Sequence, residues 1–125
     1  MGDEVGNRTA PVPFRVTLAG SADVVRVAAV GEVDMSTVDE FSNALTTALT
    51  TPGARRVVVD LADVTFLASS GISALIGAYR SGQRLEKTIG VVNCRPTVAR
   101  VLEITGVDKV LWTADESTEE STPGR

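Results

Sequence analysis

The sequence predicts an α/β domain: a mixed β-sheet of four to five strands with three or four packed helices, in the order β-β-α-β-α-β-α-β. Apolar runs rich in β-branched residues, VVRVAAVG (24–31), VVVDL (57–61) and TIGVV (88–92), read as largely buried strands. Between them, apolar residues recur at three- and four-residue spacing, as in a helix with one buried face. Alternation of the two patterns implies parallel pairing through right-handed crossovers. The 125-residue length suits one such domain.

Each element follows in order. Residues 1–13, MGDEVGNRTAPVP, are rich in glycine, proline and charge and are expected to be disordered. FRVTLAG (14–20) is a strand, Ser21-Ala22-Asp23 a turn, and the strand at 24–31 completes a hairpin. GEVDMS (31–36) leads into the first helix, with Ser36 as N-cap and Asp39 favouring the helix start electrostatically. Val38, Phe41, Leu45, Ala48 and Leu49 form its inner face, and Thr51-Pro52-Gly53 stops it. After VVVDL comes FLASSGISALIGAYR (66–80), with Ser69 as the cap of a second helix and Ser70 and Gly71 in its first turn. Ile72, Leu75, Ile76 and Tyr79 face inward, and Gly82 is its expected end. Following TIGVV, Pro96 opens a third helix. Its inner face is Val98, Val101, Leu102 and Thr105, and Gly106 ends it. VDKVLW (107–112) is the last strand or its approach, and residues 113–125 are an acidic flexible tail. The folded domain is therefore expected over residues 14–112.

Composition narrows the function. The net charge is −4, of which Asp115, Glu116, Glu119 and Glu120 against Arg125 supply −3, and residues 1–13 supply −1. A neutral body with acidic ends offers no general attraction to nucleic acid or to an anionic membrane. The absence of histidine removes the commonest general base and metal ligand. A single cysteine, Cys94, excludes an internal disulfide and a cysteine-based zinc cluster. The chemistry calls for no cofactor or metal. No apolar run reaches the ~20 residues needed to span a bilayer, and the amino terminus lacks the pattern of a secretion signal. A cytoplasmic protein is expected.

Parallel strands bring their carboxyl ends to one edge of the sheet, where function gathers in such folds. That edge is expected to collect Glu32 and Asp34 of GEVD with Ser69 and Ser70 of ASSG. The serines admit several roles. Serine is a good N-cap, worth ~1 kcal/mol over alanine. A nucleophile lacks a base, and ASSGIS lacks the first glycine of the G-x-S-x-G elbow. The glycines and lysine of the phosphate-binding loops are absent. A phosphate on Ser69 would sit favourably at the positive end of a helix and would be felt by anything docked on the rim. Phe66 and Leu67 belong to the core or, if exposed, anchor a partner. Cys94 is a packing residue or a redox site. Trp112 is expected to cap the core edge, and Arg80 and Arg84 to form a solvated face.

Three segments, GEVD (31–34), DLADVTFLASSGISALIGAYR (60–80) and RPTVARVLEITGVDKVL (95–111), carry a resemblance. In order and spacing the chain is similar to the bacterial anti-sigma factor antagonists, single STAS domains. The resemblance implies partner switching. The unmodified protein binds an anti-sigma factor, often a serine kinase, and frees a sigma factor for RNA polymerase. Phosphorylation of the first serine of an Asp-Ser-Ser-Gly motif weakens that complex, and a serine phosphatase restores it. Ser69 matches that serine, with Ser70 the lesser candidate, and Asp34 matches an acidic position on the same rim. The implied partner surface is Glu32, Asp34, Phe66, Leu67, Ala68, Ser69, Ser70 and Gly71. Ala68 departs from the family's aspartate and so can neither orient the hydroxyl nor present a charge to a kinase. A STAS-domain subunit of a lipid-transport or stress-signalling complex, outside sigma control, is the other role the resemblance admits.

Overall fold

The structure, a computed structural model, describes residues 12–114; the expectations for residues 1–11 and 115–125 lie outside the described residues. Strands β1 (Arg15–Ser21) and β2 (Val24–Val33) form the expected antiparallel hairpin. β3 (Arg56–Leu67), β4 (Thr88–Val92) and β5 (Trp112–Ala114) follow in parallel, giving a five-stranded sheet in the order β1-β2-β3-β4-β5. Helices α1 (Val38–Leu49), α2 (Ser69–Leu85) and α3 (Pro96–Thr105) make the three crossovers, and a 3-10 turn spans Val107–Lys109.

Every crossover steps one strand in the same direction, so right-handed connections place all three helices on one face of the sheet. The buried core lies there. Val25, Val27, Val57, Val59, Leu61, Ile89 and Val91 meet Phe41, Leu45, Ile72, Leu75, Val98 and Leu102. Each fully buried leucine or phenylalanine adds ~1.5–3 kcal/mol to the drive for burial. Lys87 Nζ donates to the Leu49 carbonyl and so places a cation at the carboxyl end of α1.

Several boundaries differ from the sequence expectation. β3 runs on to Leu67 instead of ending at Leu61. Its extension escaped notice because register shifts interrupt its pairing: Ala28 faces Asp60 but Val30 faces Asp63, and Gly31 faces Val64 but Glu32 faces Phe66. Each extra residue breaks the two-residue alternation by which strands are read. Helix α1 is preceded by Thr37, not Ser36, at the cap position. Gly82 does not end α2, which continues to Leu85. Glu86 then takes a left-handed conformation at φ 59°, with its N–H donating to Gln83 O and the Lys87 N–H to Gly82 O, a Schellman closure. Gly82 serves close approach instead, since a Cβ there would lie 3.0 Å from the Lys87 carbonyl oxygen. Thr105 is exposed and donates to the Val101 carbonyl, so it is not part of the inner face of α3. VDKVLW is mostly the 3-10 turn, and only Trp112 joins β5.

On the other face Asp60 organises a polar cluster. Its Oδ2 accepts Arg26 Nη2 at 2.8 Å, and its Oδ1 accepts the Ala62 N–H at 3.0 Å and Asn93 Nδ2 at 3.4 Å. Burial opposes ionisation of Asp60, but the Ala62 N–H, Arg26 and Asn93 outweigh it and lower its pKa. The stability this contributes is present above the ordinary carboxylate pKa of ~3.9 and lost as pH falls through the lowered value. Asp60→Asn should therefore cost up to ~1 kcal/mol at pH 7, as partly exposed pairs do. Urea unfolding should show that difference shrinking between pH 4 and the onset of acid unfolding.

Candidate partner-binding rim

The carboxyl ends of β2 and β3 are fastened together. Glu32 pairs with Phe66 and Val33 with Leu67, and the Ala68 N–H donates to the Val33 carbonyl at 2.9 Å. GEVD and the serine pair, far apart in sequence, thus share one edge.

Beyond Val33 the chain turns tightly into α1. Asp34 Oδ1 accepts the Ser36 N–H at 3.0 Å and the Ser36 hydroxyl at 2.8 Å. The Thr37 hydroxyl accepts the Asp34 N–H at 2.9 Å and donates to the Glu32 carbonyl at 2.8 Å. The Ser36 hydroxyl leads the bonds that lower the pKa of Asp34. Asp34 therefore stays ionised and shapes the turn, while Glu32 is exposed beside Phe66. Met35, at the tip of this turn, is 85% exposed. Sequence reasoning missed it, although an apolar side chain amid GEVDMS was the available signal.

At the start of α2 the residues divide by role. Ala68, with φ −78° and ψ 172°, is the N-cap, and Ser69 is the first helical residue. The expectation of Ser69 as cap is corrected by one position, because the bond to Val33 holds Ala68 in strand-like geometry. With alanine there, no side chain caps the helix. Ser69 is exposed, whereas Ser70 Oγ is buried with no hydrogen-bond partner among the described residues. Gly71 is buried, with a built Cβ falling 2.6 Å from Leu67 Cδ1 and 2.7 Å from Val33 Cγ1. Its lack of a side chain sets how closely α2 approaches the strand ends.

Leu67, 3% exposed, is a core residue, correcting the idea that it meets a partner directly, whereas Phe66 is 51% exposed. Cys94 lies apart, beyond β4. Burial, and then the Asp60 carboxylate, push its thiol up to about 11. It is held as the unreactive thiol at neutral pH, which suits packing.

Ala68→Asp would place a side-chain acceptor at the cap position of α2, which has none. It should stabilise the domain by ~1 kcal/mol, read as a raised urea midpoint with unchanged slope.

A one-sided sheet thus carries an exposed hydroxyl, carboxylates and exposed apolar side chains on one rim. The family model described as Mlab, STAS domain, matches residues 14–113. An anti-sigma-B factor antagonist of Staphylococcus aureus (strain NCTC 8325 / PS 47) is 30% identical over 89 residues, covering 71% of this chain and 81% of that protein. An anti-sigma factor antagonist from Mycobacterium paratuberculosis superposes with a TM-score of 0.75 at 28% identity, over 84% of this chain and 88% of that one. The anti-sigma factor antagonist SpoIIAA, unphosphorylated, gives a TM-score of 0.71 at 22% identity, over 87% and 92% of the two chains; at that identity the likeness is one of fold. The chain belongs to the STAS-domain family of anti-sigma factor antagonists. It is thus a member of a regulatory binding family. No helix among the described residues is long and apolar enough to cross a membrane.

Proposed function

We propose that this chain captures an anti-sigma factor on the Ser69 rim and thereby frees a sigma factor, and that phosphorylation of Ser69 by that partner, acting as a serine kinase, ends the capture. A serine phosphatase restores the binding form, and the exchange takes place in the cytoplasm. The observation that carries this reading is the division of the serine pair. Ser69 stands exposed at the positive end of α2, beside Phe66, Glu32 and Asp34, and the Ser70 hydroxyl is sealed. A phosphate on Ser69 gains from the helix end and needs no unfolding. A partner seated on Phe66 and Met35 meets a new dianion.

The role is binding and not catalysis. The chain has no histidine to activate a serine, and the rim carboxylate Asp34 is engaged in its own turn. Ala68 contributes no charge to kinase recognition, so the exposed hydroxyl and the backbone around it must suffice.

Affinity capture with the wild type beside Ser69→Ala and Ser69→Glu tests this. An ATPase-domain anti-sigma factor should come down with the first two and not the third. Incubation of that partner with the wild type and ATP should add one phosphate, mapped to Ser69 by mass spectrometry. Phosphate on Ser70, or a partner retained equally by all three proteins, would refute the proposal.

A further inference from the structure

Helices α1 and α2 run side by side in the same direction, since each leads from the carboxyl end of one parallel strand to the amino end of the next. A groove opens between them at the surface. Its upper part, nearer the rim, is bounded by Ser42 and Thr46 of α1 and by Ser73, Gly77 and Ser81 of α2. Its lower part runs past Thr50 to Arg84 and Leu85. The two parts enclose about 280 and 230 Å³, room for side chains brought from outside.

Gly77 has no use inside the chain. It lies mid-helix and exposed, and a built Cβ there meets nothing within 4 Å. Its backbone is helical, so no turn requires glycine. Alanine would make the stronger helix. What the missing side chain permits is close approach from outside.

The charges of the groove are divided between its ends. Asp39 stands two turns above Thr46 on the same side of α1, and Arg84 stands two turns below Gly77 on the same side of α2. Thr46 and Gly77 border the same part of the groove. The carboxylate and the guanidinium are therefore each ~10 Å along the helices from the middle, in opposite directions. Both residues are exposed, and so is Leu85 at the lower end. A two-fold axis through the middle sets Asp39 of one copy level with Arg84 of the other, and does so twice. A uniformly acidic or basic ligand would meet a like charge at one end.

We infer that a second copy of this chain packs antiparallel on the α1–α2 groove, with Gly77 at the centre and an Asp39–Arg84 contact at each end. The interface is isologous. The two Ser69 rims point in opposite directions, one at each end of the pair.

Sedimentation of the full-length chain over a dilution series tests this. The wild type should pass from dimer to monomer on dilution. Asp39→Arg and Arg84→Asp should each weaken self-association at least ~tenfold, because a two-fold axis counts every reversed charge twice. An equal mixture of those two variants should dimerise again, since each then meets opposite charge at both ends; this recovery also shows that both are folded. Gly77→Gln should abolish the dimer without lowering the urea midpoint. A wild type that stays monomeric throughout would overturn the inference. So would a mixture no more associated than its components, or a dimer that survives Gly77→Gln.

Discussion

A Ser69→Glu protein should bind its anti-sigma partner about 100-fold more weakly than the wild type, a loss of ~2.7 kcal/mol, while unfolding at the same urea concentration or slightly higher. The two halves of that expectation come from one position. Ser69 is the first residue of α2, is exposed, and has no acidic neighbour in the first helical turn. A carboxylate there interacts favourably with the helix end, worth ~0.3–1 kcal/mol. A docked partner sees the same charge as an unpaired anion that it must desolvate against Phe66 and Met35, and leaving one charge unpaired in a closed interface costs ~2–5 kcal/mol. Isothermal titration calorimetry and urea unfolding together distinguish this from a folding defect. Loss of binding with a lowered unfolding midpoint would point to damage and not to a switch.

Gly71→Ala should lower stability by about 1–3 kcal/mol, the range for inserting a carbon into a filled core. The backbone of Gly71 is helical, so conformation is not the obstacle. The obstacle is contact. The new Cβ would sit 2.6 Å from Leu67 Cδ1 and 2.7 Å from Val33 Cγ1, and both of those side chains are in the buried core. Alanine's better helix propensity returns less than ~1 kcal/mol. If the clash is the cause, Val33→Ala should cost less in the Gly71→Ala background than in the wild type, a coupling that a double-mutant cycle from urea midpoints would show. Additive costs would place the cause elsewhere. Because this contact sets the position of the Ser69 turn, Gly71→Ala should also weaken partner capture, and Val33→Ala should restore part of it.

Much of the fold was legible because its signals are periodic. The three helices announce themselves through Phe41 and Leu45, Ile72 and Leu75, Val98 and Leu102, which recur at helical spacing and are buried. The strand at 88–92 is a short apolar run with clear ends, and that at 24–31 is legible at its start but runs on to Val33. The part of β3 beyond Leu61 was not legible, since register shifts at Asp63 and Phe66 erase the alternation. The cap of α2 was misplaced by one residue for a related reason. Local chemistry favours serine at a cap, but the bond from the Ala68 N–H to Val33 O, formed across 35 positions of sequence, decides where the strand geometry stops.

The rim itself was foreseeable from topology, since parallel strands end together. Which side chains it exposes was not. Ser69 and Ser70 are neighbours of identical chemistry, and only the phase of α2 turns one hydroxyl outward and seals the other. The same holds for Phe66 and Leu67, adjacent apolar residues on opposite sides of β3. Met35 carried a weak signal of its own, an apolar residue in a polar turn, and its exposure became visible only with the turn that Asp34 and Thr37 hold.

The most direct test is calorimetric titration of the captured anti-sigma factor into two proteins carrying one added carboxylate each, Ser69→Glu on the rim and Ser21→Glu at the opposite end of the sheet. Both serines are exposed. A loss of about two orders of magnitude in affinity at position 69, with position 21 matching the wild type, is the predicted outcome. Equal affinities for the two variants, or a loss confined to position 21, would contradict recognition through the Ser69 rim.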